Sequence, residues 1–412
     1  MNRLLTLCAA ALFFGFGAAV AHAATPILPV CSWPFEVTGQ GITNVATPDT
    51  NATYWVMPLD LSRWRAMVIH GRYPDARFFN FTTYTATGVL VDTIFDAQIA
   101  PDAGSANPFA EPGPPMAGSY TVTIGANPGS GNFLNGGGSR FAFVVYRIYL
   151  PDQGRDRTGG VGVPAVSLTD FSGNSRTLRP CPFADAETSL GNLILLLEAA
   201  GMSDAARFLG QILALANQPP LGGCSPGQAG PAAVPFSTAV PGLDFFPNPQ
   251  TTYFQTANLC FRPNQILVIR GKAPVFPNTY PLLRSAVPSF NRPSTARSSC
   301  AIGRCATMSG CFPTRLSPAK ADAMTERDRG EFYTYVISTD PAPPSWPSGV
   351  TWLPWGPITF PITLIFRNIL PENGFTPTGD YVPKGALCSQ AQFTTNGWQG
   401  CFAEAGLSAE KR

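Results

Sequence analysis

Three sequence blocks occur twice in this chain, in the same order. The block N-A-T-Y-W-V around Tyr54, followed by R-A-M-V-I-H-G-R-Y-P, returns about 200 residues later as Q-T-T-Y-F-Q around Tyr253, followed by Q-I-L-V-I-R-G-K-A-P. The block S-Y-T-V-T-I returns as F-Y-T-Y-V-I, and Y-R-I-Y-L-P-D-Q-G returns as F-R-N-I-L-P-E-N-G. Because ordered self-similarity is the signature of an internal duplication, the sequence predicts two copies of one domain.

Each copy is expected to be a β-sandwich. Short runs such as residues 77–83 alternate aromatic and polar residues, which is the period of a strand with one buried face. The chain also contains 40 Gly and 42 Pro, which favours many short strands joined by tight turns. We therefore predict a mainly all-β fold of two tandem β-sandwich or jelly-roll-like repeats, joined by a short α-helical hairpin.

The helical hairpin is predicted from a change of period between the repeats. Leu190, Leu193, Ile194 and Leu197 fall on one helical face. Gly201 is placed to end this helix, and Ser203 is placed to cap the next one. We expect the hairpin to pack across a sheet; the alternative is a pair of helices that binds a partner.

The N-terminus has the pattern of a secretory signal peptide. A positive start is followed by an apolar run and the A-x-A site Ala21–Ala23, which predicts cleavage before Ala24 and a secreted or periplasmic protein. No later run is apolar for long enough to span a bilayer. The predicted organisation is a signal peptide (1–23), a first repeat (24–185), a helical linker (186–235), a second repeat (236–403) and a tail (404–412).

Charge and histidine content argue against several classes of function. Lys and Arg total 27 against 25 Asp and Glu, so no global field attracts nucleic acid. His70 is the single histidine after the signal peptide, which rules out a multi-histidine metal site. A Ser-His-Asp triad would have to use His70, and no G-x-S-x-G motif accompanies it. These features favour a protein that is not an enzyme.

Nine cysteines follow the signal peptide, and in an exported protein they are expected to form disulfides. Cys31 and Cys181 bracket the first repeat and are predicted to pair. By analogy, Cys224 is predicted to pair with Cys388 or Cys401 in the second repeat. Because nine is odd, one thiol is left free or pairs between chains.

Two repeated arginines are candidates for ligand binding. Arg147 and Arg367 occupy equivalent positions, and so do Asp152 and Glu372. One interpretation is an Arg–carboxylate ion pair that fixes the exit of a strand. The functional interpretation is that the arginines line a groove and bind an acidic group.

Acidic residues cluster in one stretch of the first repeat. Asp92, Asp96, Asp102 and Asn107 lie within 16 residues, and oxygen ligands at this density can hold Ca²⁺, the only cofactor the sequence suggests. Two of these carboxylates are alternatively a general acid and base for glycan hydrolysis. The third interpretation is that they terminate strands.

Three tryptophans lie in a Pro-rich segment of the second repeat. Trp346, Trp352 and Trp355 offer flat apolar faces that can stack on a sugar. The competing interpretation is that they pack against the end of a sandwich.

One stretch departs from the duplication. Residues 279–330 should repeat the aromatic strands near Phe78, but they are rich in Ser, Arg, Pro, Ala and Cys. Two interpretations stay open, an elaborated loop and a local error in the reading frame.

Several segments resemble an uncharacterised family of exported bacterial tandem β-sandwich proteins. They are W-L-P-W-G-P (352–357), Y-R-I-Y-L-P, F-R-N-I-L-P, and the runs at residues 73–84 and 91–102. The resemblance implies the fold and no activity. We therefore expect a non-enzymatic protein that binds a small molecule, a glycan or an envelope partner through a groove between the domains. The alternative is a carboxylate-based enzyme acting on glycans.

Overall fold

The computed structural model describes most of both repeats. The described residues are 29, 31–39, 50–110, 118–126, 129–181, 186–217, 230–238, 246–257, 259–273, 301–305, 319–320, 325–339, 347–354, 363–369 and 378–408. The signal peptide predicted at residues 1–23 lies outside them, as do Trp346, Trp355, Glu372 and Cys224.

The described part of the first repeat folds into two five-stranded sheets. Its strands are β1 (Phe35–Thr38), β2 (Ala52–Asp60), β3 (Trp64–Arg72), β4 (Ala76–Thr85), β5 (Leu90–Phe95), β6 (Ser119–Gly125), β7 (Phe133–Asn135), β8 (Phe141–Pro151), β9 (Ala165–Asp170) and β10 (Ser175–Thr177). One sheet has the order β1-β2-β8-β4-β5, and the other has the order β10-β9-β3-β6-β7.

The two sheets face each other across an aromatic core. Met67 and Ile69 of β3 point inward and are fully buried, whereas the next residue of the strand, His70, is exposed. Against them pack Trp55 of β2 and Tyr146 of β8, whose rings stack with their centres 5.4 Å apart. This alternation of inward apolar and outward polar residues is what makes the repeat a sandwich.

The strands β2, β4 and β8 are buried on both faces. Their outer face is covered by two helices, α1 (Ala186–Ala199) and α2 (Ser203–Asn217). Leu193 and Leu197 of α1 are buried against this face, while Leu195 is 64% exposed. Gly201 ends α1 with a φ of +74°, a conformation that suits glycine. The predicted packing of the helical hairpin across a sheet is confirmed.

The described part of the second repeat has the same central strand order, although the edge strand β11 comes from the start of its repeat and its counterpart in the sheet, β10, comes from the end of the first repeat. Its elements are β11 (Ala232–Pro235), β12 (Thr251–Gln255), β13 (Gln265–Lys272), β14 (Ala301–Cys305), β15 (Ala319–Lys320), β16 (Phe332–Ser338), β17 (Val350–Pro354), β18 (Thr363–Ile369), β19 (Lys384–Ser389) and α3 (Gln390–Glu404). The sheet β12-β18-β14-β15 matches β2-β8-β4-β5, and β11-β19-β13-β16-β17 matches β10-β9-β3-β6-β7.

Equivalent residues of the two repeats form equivalent cross-strand pairs. These are Tyr54–Arg147 and Tyr253–Arg367, and Gly71–Tyr120 and Gly271–Tyr333. The only parallel pairs among the described strands also correspond, β6 with β7 and β16 with β17. The expected fold, a mainly β chain of tandem sandwich-like repeats, is confirmed.

Disulfides lie in both repeats. Cys31 bonds to Cys181 across 150 residues, with Cα atoms 5.1 Å apart, as predicted. The pairing expected for Cys224 is wrong, because Cys388 bonds to Cys401 instead. The reason is local: Cys388 is the next-to-last residue of β19, and α3 follows this strand directly and packs on its sheet, which brings Cys401 to 5.3 Å from Cys388, Cα to Cα. These bonds are compatible with an extracytoplasmic protein.

The stretch that departs from the duplication contributes short strands. Within residues 279–330, β14 pairs with β18 and β15 pairs with β14. They hold the sheet positions of β4 and β5, so the topology is kept where the sequence similarity is lost. None of the described helices is long and apolar enough to cross a membrane.

Candidate functional site

Arg147 lies on the outer face of the first repeat's central strand and is only 2% exposed. Its guanidinium donates to Thr82 Oγ1 at 3.1 Å, to Tyr84 Oη at 2.7 Å and to the carbonyl of Phe246 at 2.9 Å. The expected ion pair with Asp152 is wrong. Residues 147 and 152 are separated by the end of β8, and every acceptor that holds the guanidinium is a neutral group on β4 or in the segment before β12.

The outer face of the first sheet is joined to the start of the second repeat by a polar seam. We call this the repeat seam: Tyr54, Asn80, Thr82, Tyr84, Arg147 and Tyr149 on one side, and Phe246, Pro247, Asn248 and Gln250 on the other. Asn80 donates to Asn248 Oδ1 at 3.1 Å and to Gln250 Oε1 at 2.7 Å. Tyr84 donates to the carbonyl of Pro247 at 2.6 Å.

The tyrosines of the seam do not neutralise the arginine. Burial raises the pKa of Tyr149 to about 12, the largest single influence on that group. Burial likewise raises the pKa of Tyr84, although Arg147 acts to lower it. Both phenols therefore stay protonated at neutral pH, and Arg147 is a buried cation held by neutral oxygens and by aromatic rings.

Arg367 occupies the corresponding place in the second repeat. It is 3% exposed, and its guanidinium carbon lies 5.9 Å from the ring centre of Tyr253. Arg147 and Arg367 thus lie in packed protein and not along an open groove. The partner predicted for Arg367, Glu372, is outside the described residues.

In the acidic stretch of the first repeat, Asp92, Asp96 and Asn107 make hydrogen bonds to the local backbone. Asp96 is fully buried and accepts from the Ala97 N–H, and Asn107 donates to the carbonyls of Asp96 and Ile99. Asp92 accepts from the backbone N–H groups of Thr93 and Asn135, each at 2.8 Å. In the described residues no three His, Cys, Asp or Glu side chains are grouped to hold a metal ion, so the proposed Ca²⁺ site at Asp92, Asp96 and Asp102 gains no support.

The same contacts bear on the glycan-hydrolysis alternative. The acid and the base of a glycosidase must face each other across a cleft. Asp96 is fully buried, and Asp92 accepts a hydrogen bond from the backbone N–H of Asn135 on β7. These two side chains fix local backbone.

Of the three candidate tryptophans, the described part of the chain contains Trp352. It is half-buried on β17 and donates from Nε1 to Ser338 Oγ at 2.9 Å. This contact ties it to the neighbouring strand β16 and agrees with the packing interpretation.

Arg270, the counterpart of His70 in the second repeat, lines an open pocket. His70 lies on an exposed sheet face and contacts Thr121 Oγ1 through Nδ1 at 3.1 Å. Its counterpart Arg270 makes the equivalent contact, donating to Thr334 Oγ1 at 2.9 Å. In the second repeat, however, this sheet face is covered by α3, and a concave pocket remains beside the helix.

The pocket, which we call the α3 pocket, is an open concavity with about 30 Å³ of space for water-sized molecules. It is lined by Arg270, Gly271, Phe332, Asp380, Val382, Lys384, Trp398, Phe402 and Ser408. The guanidinium of Arg270 lies over two of these rings, 4.2 Å from the centre of Trp398 and 4.8 Å from that of Phe332.

Arg270 is also held by an ion pair. Its Nη2 donates to Asp328 Oδ2 at 2.6 Å. Burial acts to raise the pKa of Asp328, but the hydrogen bonds from Arg270 and from the backbone N–H groups of Phe332 and Gly330 outweigh it and hold this pKa below its usual value. With two rings and a carboxylate around it, Arg270 is a fixed wall of the pocket.

The helix α3 places Trp398 because of three local features. Ser389 caps its N-terminus, accepting from the Gln392 N–H at 3.1 Å. Gly397 interrupts the helix with a φ of +64°, directly before Trp398. The disulfide Cys388–Cys401 then fastens the second half of α3 to β19.

The pocket was missed from sequence. Its residues come from five separate segments, and α3 has few apolar residues, so helical periodicity gave no signal. The one available clue is the pair Cys388 and Cys401, the second of which lies within the W-Q-G-C-F stretch.

Comparisons with known proteins give a fold and no activity. The chain is similar to a putative uncharacterized protein from Burkholderia cenocepacia, with a TM-score of 0.53, 12% identity, and coverage of 88% of this chain and 84% of that one. A Vibrio parahaemolyticus protein aligns with a TM-score of 0.41 and 11% identity over 85% of this chain and 92% of that one. No protein-family model matches the chain, and no curated protein does.

Proposed function

We propose that the chain is an exported protein without catalytic activity that binds a small ligand in the α3 pocket. The observation that carries the proposal is the pocket itself, an open concavity in which the aromatic ring of Trp398 lies beside the polar groups of Asp380 and Ser408. The expected groove at Arg147 and Arg367 is replaced here by a site on the second repeat.

The polar groups of the pocket are available to a ligand. Within the described residues, the Asp380 carboxylate makes no hydrogen bond or ion pair, and the Trp398 indole N–H makes no hydrogen bond. Groups of this kind are satisfied by water until a ligand replaces it. Trp398 supplies apolar area beside them.

The pocket lies on the second repeat, beside α3. On the corresponding face of the first repeat, hydroxyls of β9 and β10 pair across the two strands, as in Ser167–Thr177 and Thr169–Ser175, both at 3.0 Å. The strand β10 on that face is exposed. The addition of α3 to the second repeat is therefore the change that creates a concave surface from a flat one.

A thermal-shift screen of small molecules on the mature chain tests the proposal. A ligand that binds only the folded state raises the melting temperature. We expect at least one compound to do so, with the shift lost in Trp398→Ala. Phe171→Ala is the matched control, because Phe171 is 63% exposed on the first repeat. Shifts that survive Trp398→Ala would place binding elsewhere.

Export is the second part of the proposal. It is supported by the signal-peptide pattern of residues 1–23 and by the disulfides Cys31–Cys181 and Cys388–Cys401. N-terminal sequencing of the protein recovered outside the cytoplasm should begin at Ala24. A full-length chain retained in the cytoplasm would contradict it.

A further inference from the structure

We propose that the first repeat carries a peptide-binding site, and that the ligand of this site is a segment of the same chain, residues 246–250. We call this segment, F-P-N-P-Q, the strap. It lies directly before β12 and contains the second-repeat side of the repeat seam, so its binding fastens the second repeat to the first. The site shares no residue with the α3 pocket, and the inference does not depend on the function proposed for that pocket.

The side chain of Phe246 is the anchor of the strap. Its ring packs against Tyr84 and Phe143 of the first repeat and Phe208 of α2, with ring centres 5.0, 5.8 and 5.8 Å away. These three residues are buried. An aromatic side chain held among buried rings is the typical centre of a binding interface.

The site also binds the backbone of the strap. Arg147 donates to the carbonyl of Phe246 at 2.9 Å, and Tyr84 donates to the carbonyl of Pro247 at 2.6 Å. The N–H of Phe246 donates in turn to the carbonyl of Gly88 at 3.3 Å. Hydrogen bonds to neighbouring main-chain groups, together with a pocket for a side chain, are the contacts by which proteins recognise peptides.

Asn80 binds the two amide side chains of the strap. Its Nδ2 donates to Asn248 Oδ1 at 3.1 Å and to Gln250 Oε1 at 2.7 Å. Thr93 donates to the same oxygen of Gln250 at 3.2 Å, and Asn248, which is buried, donates to Tyr149 Oη at 3.4 Å. Because a buried polar group without a partner is costly, these contacts favour amide side chains at both positions of the ligand.

The strap has the backbone of a preorganised ligand. Pro247 and Pro249 fix φ at two of its five positions, which lowers the conformational entropy lost on binding. Phe246 has a φ of +49°, which is uncommon for a residue with a side chain. The hydrogen bonds to its N–H and its carbonyl hold this conformation.

The strap differs from the matching segment of the first copy. Counting back from the repeated residues Tyr54 and Tyr253, the first copy has T-P-D-T-N (47–51) where the second has F-P-N-P-Q. The first proline is shared, whereas the aromatic anchor and the second proline occur in the second copy alone. This difference is expected if the segment was fitted to the site on the first repeat after the duplication.

Fluorescence anisotropy with a labelled synthetic peptide of residues 244–252 tests the inference on the mature chain. In the wild type, the covalently attached strap has a high effective concentration and excludes the peptide. Phe246→Ala weakens the strap, so we expect this variant to bind the peptide at least about tenfold more tightly than the wild type does. Phe171→Ala, which removes a ring that is 63% exposed on the first repeat, should bind the peptide no better than the wild type. Equal binding by Phe246→Ala and the wild type, or binding by neither, would overturn the inference.

Asn248→Ala is the second variant and decides the test if Phe246→Ala does not fold, because it keeps the aromatic anchor. It loses the hydrogen bonds with Asn80 and Tyr149, so it should also bind the peptide more tightly than the wild type. A peptide with alanine in place of Phe246 should bind either variant at least about tenfold more weakly than the native peptide. Equal affinities of the two peptides, or no gain in Asn248→Ala, would contradict a site built around the strap.

Discussion

The guanidinium carbon of Arg147 lies 5.1 Å from the ring centre of Tyr54, its direct cross-strand partner. Arg367 and Tyr253 repeat this relationship in the second copy, at 5.9 Å. The contact was duplicated with the fold and is kept in both copies, where a buried cation rests on an aromatic face. In the first repeat, Arg147 also joins the two sides of the repeat seam, because it donates to the carbonyl of Phe246.

The fork of the Arg147 guanidinium should be essential to the repeat seam. Arg147→Lys keeps the charge but cannot reach Thr82, Tyr84 and the Phe246 carbonyl together, so we expect unfolding to become easier by about 1–3 kcal/mol. Urea denaturation measures this. Arg207→Lys on the exposed surface of α2 is the control and should change stability by less than about 0.5 kcal/mol. Equal losses of stability in Arg147→Lys and Arg207→Lys would show that the repeat seam does not depend on the guanidinium of Arg147.

Gly71 and Gly271 should not tolerate a side chain, because a tyrosine ring of the neighbouring strand packs directly against each of them. A Cβ on Gly71 would overlap the ring of Tyr120, and a Cβ on Gly271 would overlap that of Tyr333. Each Gly→Ala change should destabilise the protein by about 1–3 kcal/mol through overpacking. Gly191→Ala in α1, where a Cβ meets nothing within 4 Å, should instead stabilise it by up to about 1 kcal/mol. The melting temperatures of the three variants, measured in parallel, test this prediction. Equal melting temperatures would contradict the close packing of Tyr120 and Tyr333 against the two glycines.

The sequence was a good guide to what the duplication repeats. Tyr54 with Tyr253 and Gly71 with Gly271 could be matched because these residues hold the same place in two copies of one sheet. The Cys31–Cys181 bond followed from its position at the ends of a repeat. The hairpin was readable because Leu190, Leu193 and Leu197 share a face.

What the copies do not share could not be read in this way. The pocket depends on α3, which has no equivalent among the described elements of the first repeat, and on Asp380 and Trp398, which are brought together only by the tertiary fold. Arg147 was expected to meet a carboxylate because oppositely charged residues were near in sequence. Its actual acceptors lie on another strand and in a segment about 100 residues away, which sequence spacing does not reveal.

Removal of the Cys388–Cys401 disulfide should release α3 without unfolding the sandwiches. In Cys388→Ser/Cys401→Ser we expect faster hydrogen exchange at the backbone amides of α3, because the helix loses its covalent tie to β19. Cys31→Ser/Cys181→Ser should leave α3 protected, although it should cost about 2–5 kcal/mol of global stability. Unchanged exchange of α3 in the first variant would mean that packing alone holds the helix.

The ion pair between Asp328 and Arg270 should make stability depend on pH at the acidic end. Because the pKa of Asp328 is lowered in the folded protein, its contribution is present above its unfolded pKa of about 3.9 and is lost as the pH falls through the lower folded value. Since the pair is partly exposed, we expect less than about 1 kcal/mol. The difference in unfolding free energy between the wild type and Asp328→Asn should therefore shrink between pH 6 and pH 3. A constant difference would contradict the lowered pKa.

The most direct test of ligand binding in the α3 pocket is ¹⁹F NMR of the protein labelled with 5-fluorotryptophan. The chain has seven tryptophans, and Trp398→Phe identifies the signal of the one in the pocket. Neutral hexoses, amino acids and small carboxylates are then titrated in turn. A site in the pocket predicts that one class shifts the Trp398 signal saturably while the Trp352 signal stays in place. A Trp398 signal that no class moves would contradict the account.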